Sequence, residues 1–306
     1  MDSSGTAVAG ADQPTTVVSA VAPSLGILWD NTNWYNQDVR VWKTTGTTVT
    51  GDARIGRLPN TSSYILGAGD FNGDGEPDII INDGDAAGGR YGVWWMKGLV
   101  PYNHSYFTLS GDGWVPFPWH LSGVADFNRD GQVDILWQNW ETGEVGHWVM
   151  QGKIPRIFVN VGYVPVDNSG PTPRVPWRAV AAADFSGDGK ADVAFENIDT
   201  GERGLWVLKE TGVDRFISWG VIPTEWHIAG AADFTGDGQP DVLWQNVAAG
   251  IVGVWTMSGT TPTAFVHLGT APTEWAVRGA MPISATAAPM LSRAVLTPAS
   301  TRLEMR

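Results

Sequence analysis

The chain has 306 residues, 43% hydrophobic and 17% charged, with 38 Gly, 19 Pro, 17 Trp and no Cys. Its formal net charge of −13 has the wrong sign for a nucleic-acid footprint. The lack of Cys excludes disulfides, thiolate metal sites and thiol nucleophiles, and many Gly, Pro and Trp with few charges suit an all-β protein rich in turns.

Residues 1–22 are small and polar, without a basic start or an apolar core. They read as a flexible lead-in and not as a signal peptide as it stands. No apolar run is long enough to span a bilayer. The first strand-like runs are "ILWDN" at Ile27 and "VRVW" at Val39. Then a nine-residue acidic motif appears four times: "DFNGDGEPD" at Asp70, "DFNRDGQVD" at Asp126, "DFSGDGKAD" at Asp184 and "DFTGDGQPD" at Asp233. A corner Trp (Trp119, Trp177, Trp226) stands seven residues before the last three. After each motif comes an apolar run ("IIIND", "ILWQN", "VAFEN", "VLWQN"), a Gly-containing turn, and a second run ("GVWWM", "GHWVM", "GLWVL", "GVWTM"). These short runs of Val, Ile and Trp bounded by Gly, Asn and Asp are strands.

Four strands per unit of about 50 residues predict the blade of a β-propeller. We label them A (before the acidic motif), B, C and D. The chain opens on a B–C–D set with no A strand. It closes on an A strand, "EWAVRGAM" at Glu274, with no B strand after it. Pairing the two orphans predicts five closed blades over residues 23–283, with 284–306 as a tail. Closure removes two sheet edges. Six blades is the alternative.

Each acidic motif can wrap a cation. Oxygen side chains fall at positions 1, 3, 5 and 9, position 7 can offer a backbone carbonyl, and Gly at position 6 permits the turn. The candidate ligands are Asp70, Asn72, Asp74, Glu76 and Asp78 in the first loop, and Asp126, Asn128, Asp130, Gln132 and Asp134 in the second. The third offers Asp184, Ser186, Asp188, Lys190 and Asp192, and the fourth Asp233, Thr235, Asp237, Gln239 and Asp241. Position 12 lies on a strand and carries no bidentate Glu, so these are not EF-hands. About four Ca2+ ions are expected, with Mg2+ less suited because it dehydrates reluctantly. Thirteen of the 32 acidic residues lie in these loops, so the acidity is mostly a metal requirement. Calcium is scarce in the cytosol, which points to an extracellular or cell-surface location. The Phe at position 2 is expected to plug the space between blades.

The loop followed by "ILWQN" and "GHWVM" resembles the VCBS/FG-GAP repeats of secreted proteins, over roughly residues 27–282. The resemblance implies a propeller whose calcium loops are mainly structural braces. It also implies a range of functions that includes lectins, adhesins and lyases.

The Trp surplus and neighbouring amides suit sugars. Candidate glycan contacts are Trp29 with Asn31, Trp137 with Asn139, and Trp244 with Asn246, repeated around a ring for avidity. The competing reading makes these Trp residues blade wedges and the Asn residues turn caps. Catalysis has thin support. The five His do not repeat as a set, although His120 and His227 both follow a corner Trp. No G-x-S-x-G or H-E-x-x-H motif occurs. Residues 98–118 form the most distinctive single insertion. A glycan or cell-surface polysaccharide is the expected partner, with a polysaccharide-active enzyme or a protein-interaction scaffold as alternatives.

Overall fold

The structure, a computed structural model, describes residues 23–33, 36–59, 62–83, 88–107 and 114–283. The expected lead-in and tail, and part of the 98–118 insertion, lie outside these. Every regular element described is a strand, so no helix among them could cross a membrane.

Blade 1 begins with β1 (Ser24–Asn31), β2 (Asp38–Thr45) and β3 (Thr48–Arg57). Blade 2 holds β4 (Tyr64–Gly69), β5 (Asp78–Asn82), β6 (Gly88–Lys97) and β7 (Val100–Tyr106), with β8 (Trp114–Pro116) added against β6. Blade 3 holds β9 (Trp119–Ala125), β10 (Asp134–Asn139), β11 (Glu144–Gln151) and β12 (Ile154–Tyr163). Blade 4 holds β13 (Trp177–Ala183), β14 (Asp192–Asn197), β15 (Glu202–Lys209) and β16 (Gly212–Val221). Blade 5 holds β17 (Trp226–Ala232), β18 (Asp241–Asn246), β19 (Ile251–Ser258) and β20 (Thr261–Thr270). The last strand, β21 (Trp275–Pro282), returns to pair antiparallel with β1, from Leu25 against Pro282 to Asn31 against Trp275. The ring therefore has five blades and closes as the orphan strands require.

The A strands β4, β9, β13, β17 and β21 touch in a circle around the axis. Their small residues, such as Gly67, Gly123, Ala181, Gly230 and Gly279, line a narrow channel whose one charged wall residue is Arg278. Arg278 is already tied to Asp30 at 2.8 Å.

The repeating residues have local reasons. In blades 3, 4 and 5 the B-strand aromatics Trp137, Phe195 and Trp244 face Gly146, Gly204 and Gly253 of strand C. A Cβ on any of those glycines would collide with the D-strand ring of Phe158, Phe216 or Phe265. The glycines are thus the seats of those rings. The position-2 Phe residues are buried and pack into the following blade, Phe71 with Ile135 and Met150, and Phe185 with Val242 and Met257. Blade 1 has no acidic loop, and Ile283, seated at the junction of blades 1 and 2, takes the place of the missing Phe.

The blades are also clasped by buried polar side chains. Gln138 at the end of blade 3's B strand accepts from Ala179 N at 2.9 Å and donates to Trp177 O at 2.8 Å, both in blade 4. Gln245 of blade 5 repeats this on Val277 N and Trp275 O, at 2.9 and 2.7 Å. One side chain thus satisfies a donor and an acceptor of the next blade's innermost strand, which would otherwise be buried unpaired.

Candidate metal loops and an open cleft between blades

The four loops share one conformation, set by residue type. Positions 4 and 6 take positive φ, as in Gly73 at 76° and Gly75 at 85°, where a side chain is disfavoured. In the first loop the Asp70 carboxylate accepts from Gly73 N (2.7 Å) and Gly75 N (2.9 Å), and Asp74 accepts from Glu76 N (2.9 Å). Asp126, Asp184 and Asp233 repeat the position-1 pattern. Asn72 and Asn128 accept from the amides of Asp74 and Asp130. The Ser186 and Thr235 hydroxyls lie 3.5 Å from the Asp at position 1.

The position-9 carboxylates are fully buried. Asp78 accepts from Phe71 N and from Met96 N on strand C, and Asp134 accepts from Phe127 N and Met150 N. Asp192 and Asp241 make the same bridge to Leu208 N and Met257 N. This residue fastens the loop to its own sheet, a role the ligand pattern alone did not disclose. Burial, followed by repulsion from the other loop carboxylates, pushes Asp78 and Asp134 up to about 6, and burial raises Asp192 and Asp241 as well. At position 7, the Gln132 and Gln239 side chains accept from Gly152 N and Gly259 N, and Lys190 pairs with Glu210 at 3.0 Å. Glu76 has its amide engaged by Asp74.

In this conformation no three carboxylates or imidazoles among the described residues converge into a ligand cluster, because their oxygens are turned onto loop amides. The donor chemistry nevertheless suits a hard cation. Each loop places at least three carboxylates and one neutral oxygen within nine residues, and repulsion among them adds to the burial that raises Asp78 and Asp134.

The predicted glycan contacts sit inside the blades. Trp29, Trp137 and Trp244 are 1–2% exposed, and Asn31, Asn139 and Asn246 are buried. The Asn side chains cap turns: Asn139 accepts from Glu141 N and Thr142 N, Asn246 from Ala248 N and Ala249 N, and Asn31 from Asn33 N. Three open aromatic-and-amide platforms are therefore not what this ring presents. The three indole N–H groups, however, are buried without a hydrogen-bond partner, and Trp244 forms part of a cavity wall.

That cavity belongs to the junction of blades 4 and 5. It holds about 180 Å³ between Ile222, Trp226, Trp244, Trp255 and Phe265. A second cavity of about 370 Å³ shares Ile222 and Trp255 with it and adds Trp219, Ser218, Thr260 and Thr261. Together they make one shallow cleft with aromatic walls and a hydroxyl rim. Its origin is a local departure from the repeat. A Cβ on Gly56, Gly162 or Gly269 of strand D would touch the C-strand Trp of the next blade, at 3.8, 3.5 and 3.2 Å, whereas Gly220 departs from them with φ 91° and a Cβ on it meets nothing within 4 Å. Trp219, standing where other D strands have Ile55, Val161 or Leu268, holds the junction apart. It packs edge-on near Trp255 (6.3 Å) and Phe185 (5.9 Å) and donates to Thr260 O at 2.9 Å. The unusual Trp219 was visible in the sequence, but its consequence needed the neighbouring blade.

His120 and His227 lie apart. His120 stacks on Trp140 at 3.5 Å, and burial pushes it down to about 4. His227 meets Glu196 at 3.0 Å.

A family model for the FG-GAP-like repeat matches residues 70–137 and 126–195. Over 81 residues the chain is 36% identical to cartilage acidic protein 1 of Mus musculus, a match covering 26% of this chain and 12% of that protein. Over 99 residues it is 27% identical to an adenine phosphoribosyltransferase of Leuconostoc citreum, covering 32% and 52%. The chain thus spans about an eighth and about half of these relatives, and no activity passes from them. Among solved structures, a putative 6-phosphogluconolactonase from Bacteroides fragilis aligns with 89% of this chain and 100% of its own at 10% identity and a TM-score of 0.41. The repeat is matched across three successive acidic loops and the ring has five four-stranded blades, so the chain carries FG-GAP-like repeats within a five-bladed β-propeller.

Proposed function

We propose that the protein is a calcium-braced, glycan-binding propeller acting outside the cytosol, with its principal binding site in the cleft between blades 4 and 5. The observation that carries this is the opened junction. Trp219 and Trp255 offer ring faces for the C–H faces of a sugar, and the rim supplies the hydroxyls of Ser218 and Thr261. Trp244, on the wall of the adjoining cavity, has a buried indole N–H that lacks an acceptor. Shallow cavities of this volume with a few polar groups among aromatics suit small ligands. The repeats at Trp29 and Trp137 provide the same buried indole without the opened junction, so one site dominates.

Calcium would be held by the Asp residues at positions 1, 5 and 9 and the Asn, Ser or Thr at position 3. It supplies charge compensation and rigidity to the loops and takes no part in sugar contact. The test is a glycan array on the calcium-loaded protein, repeated with Trp219→Ala. We expect binding to a defined set of glycans, lost in the variant while the circular dichroism spectrum is unchanged. A blank array, or binding indifferent to Trp219→Ala, would overturn the reading. Cleavage of a bound polysaccharide would replace it with an enzymatic one.

A further inference from the structure

The four loops are not electrically equivalent. Position 4 is Gly73, Gly187 and Gly236 in three of them and Arg129 in the second. Arg129 holds φ 64° and is the one non-Gly residue with positive φ among the described residues. A side chain is therefore kept where L-residues are disfavoured. Its guanidinium does not serve its own loop. It crosses the junction of blades 3 and 4, where Nη2 donates to the Asp188 carbonyl at 2.7 Å and lies 3.5 Å from the Asp188 carboxylate. Nη1 lies 3.8 Å from Glu210, which also pairs with Lys190 at position 7 of the third loop. Two positive charges and the exposed Glu210 carboxylate between them thus converge on the third loop, a net +1. The first loop, by contrast, has four carboxylates (Asp70, Asp74, Glu76 and Asp78) and no basic residue in its motif.

We infer that Arg129 sets the cation affinity of the neighbouring third loop. It acts as a tethered positive charge that partly neutralises Asp188 and so makes that loop the weakest of the four, with the first the strongest. The inference rests on the calcium reading above. Its reach is specific: the charge comes from the second loop and the effect falls on the third. A monovalent charge about 6 Å from a divalent ion in a water-like medium opposes it enough to weaken binding about tenfold.

The experiment is calcium titration of the whole chain against a chromophoric chelator, comparing wild type with Arg129→Gly, which restores the residue found in the other loops. We expect graded sites in wild type and one site tightened about tenfold in the variant. The same substitution made on top of Asp184→Asn and Asp188→Asn should change none of the remaining sites by that amount. Arg129→Lys, which keeps the charge, should stay near wild type. Four wild-type sites with an isotherm unmoved by Arg129→Gly would leave the calcium reading standing and overturn the role of Arg129. Tightening that survives loss of the third loop would also overturn it. No binding of calcium by either protein would remove the calcium reading and this inference together.

Discussion

The junction of blades 3 and 4 and the junction of blades 4 and 5 are built from equivalent positions and solve the same problem differently. At the first, Gln138 clasps the next blade with a neutral amide, and Val145 lies opposite it on strand C. At the second, the same two positions hold Glu196 and Arg203. Glu196 accepts from Ile228 N, and Arg203 donates to Trp226 O at 2.6 Å. Two charged residues thus divide the work of one amide, and both are almost wholly buried. This charged junction is also the one that Trp219 holds open. A repeat fixes the frame, and a cluster of coupled departures from it marks where one junction has been specialised.

The largest effect should come from breaking the charged clasp on one side only. Arg203→Val leaves Glu196 buried without its cation and should cost about 3–5 kcal/mol. The double variant Glu196→Gln with Arg203→Val recreates the neutral Gln–Val pair that follows blades 3 and 5 and should recover most of that loss. Urea unfolding of the two singles and the double gives the coupling directly. A double variant as unstable as the single would show that the junctions are not interchangeable.

Of similar size is the contrast between the wedge rings and the cleft ring. Trp137→Ala removes a fully buried side chain and should cost about 3–5 kcal/mol. Trp219→Ala, at a partly buried position on the edge of the core, should cost less, about 1 kcal/mol, and differential scanning calorimetry separates the two. Equal losses would place Trp219 in the core and leave the cleft without its wall.

A smaller effect per site should follow calcium. Each occupied loop adds about 2.7 kcal/mol at a hundredfold excess over Kd, so chelator should lower Tm. An unchanged Tm, with no metal found by elemental analysis, would sink the brace.

The smallest effect is in pH. Asp78 and Asp134 are raised to about 6, so the metal-free fold holds their protons better than the unfolded chain does. Their contribution is present below about pH 4 and is lost as pH rises through about 6. His120 and His147 are lowered to about 4 by burial, so theirs is present above about 6.5 and is lost as pH falls through about 4. The two contributions oppose each other between pH 4 and 6.5 in chelator. Bound calcium would keep the carboxylates ionised and remove the first. Acid should therefore destabilise the calcium-loaded protein more steeply than the chelated one, as read by Tm against pH in both buffers. The reverse order would contradict the loop electrostatics.

What the sequence determined by itself was everything carried by spacing. The acidic loops, the 11-residue interval from Trp137 to Trp148 and from Trp244 to Trp255, and the orphan strands at the two ends favoured five closed blades over the six-bladed alternative, because each unit is a local hairpin series whose period is written along the chain. The inter-blade role of the position-2 Phe was legible for the same reason. Only the tertiary structure decided which aromatic faces are free. Trp137 and Trp219 look equally suited to a sugar as letters. One ring faces Gly146 on its own sheet, while the other stands at a seam between two sheets. Neither the division of Gln138's task between Glu196 and Arg203, nor the reach of Arg129 into the third loop, could be read along the chain. Both depend on residues of neighbouring blades, and sequence periodicity describes contacts within a unit far better than the side-chain geometry between units.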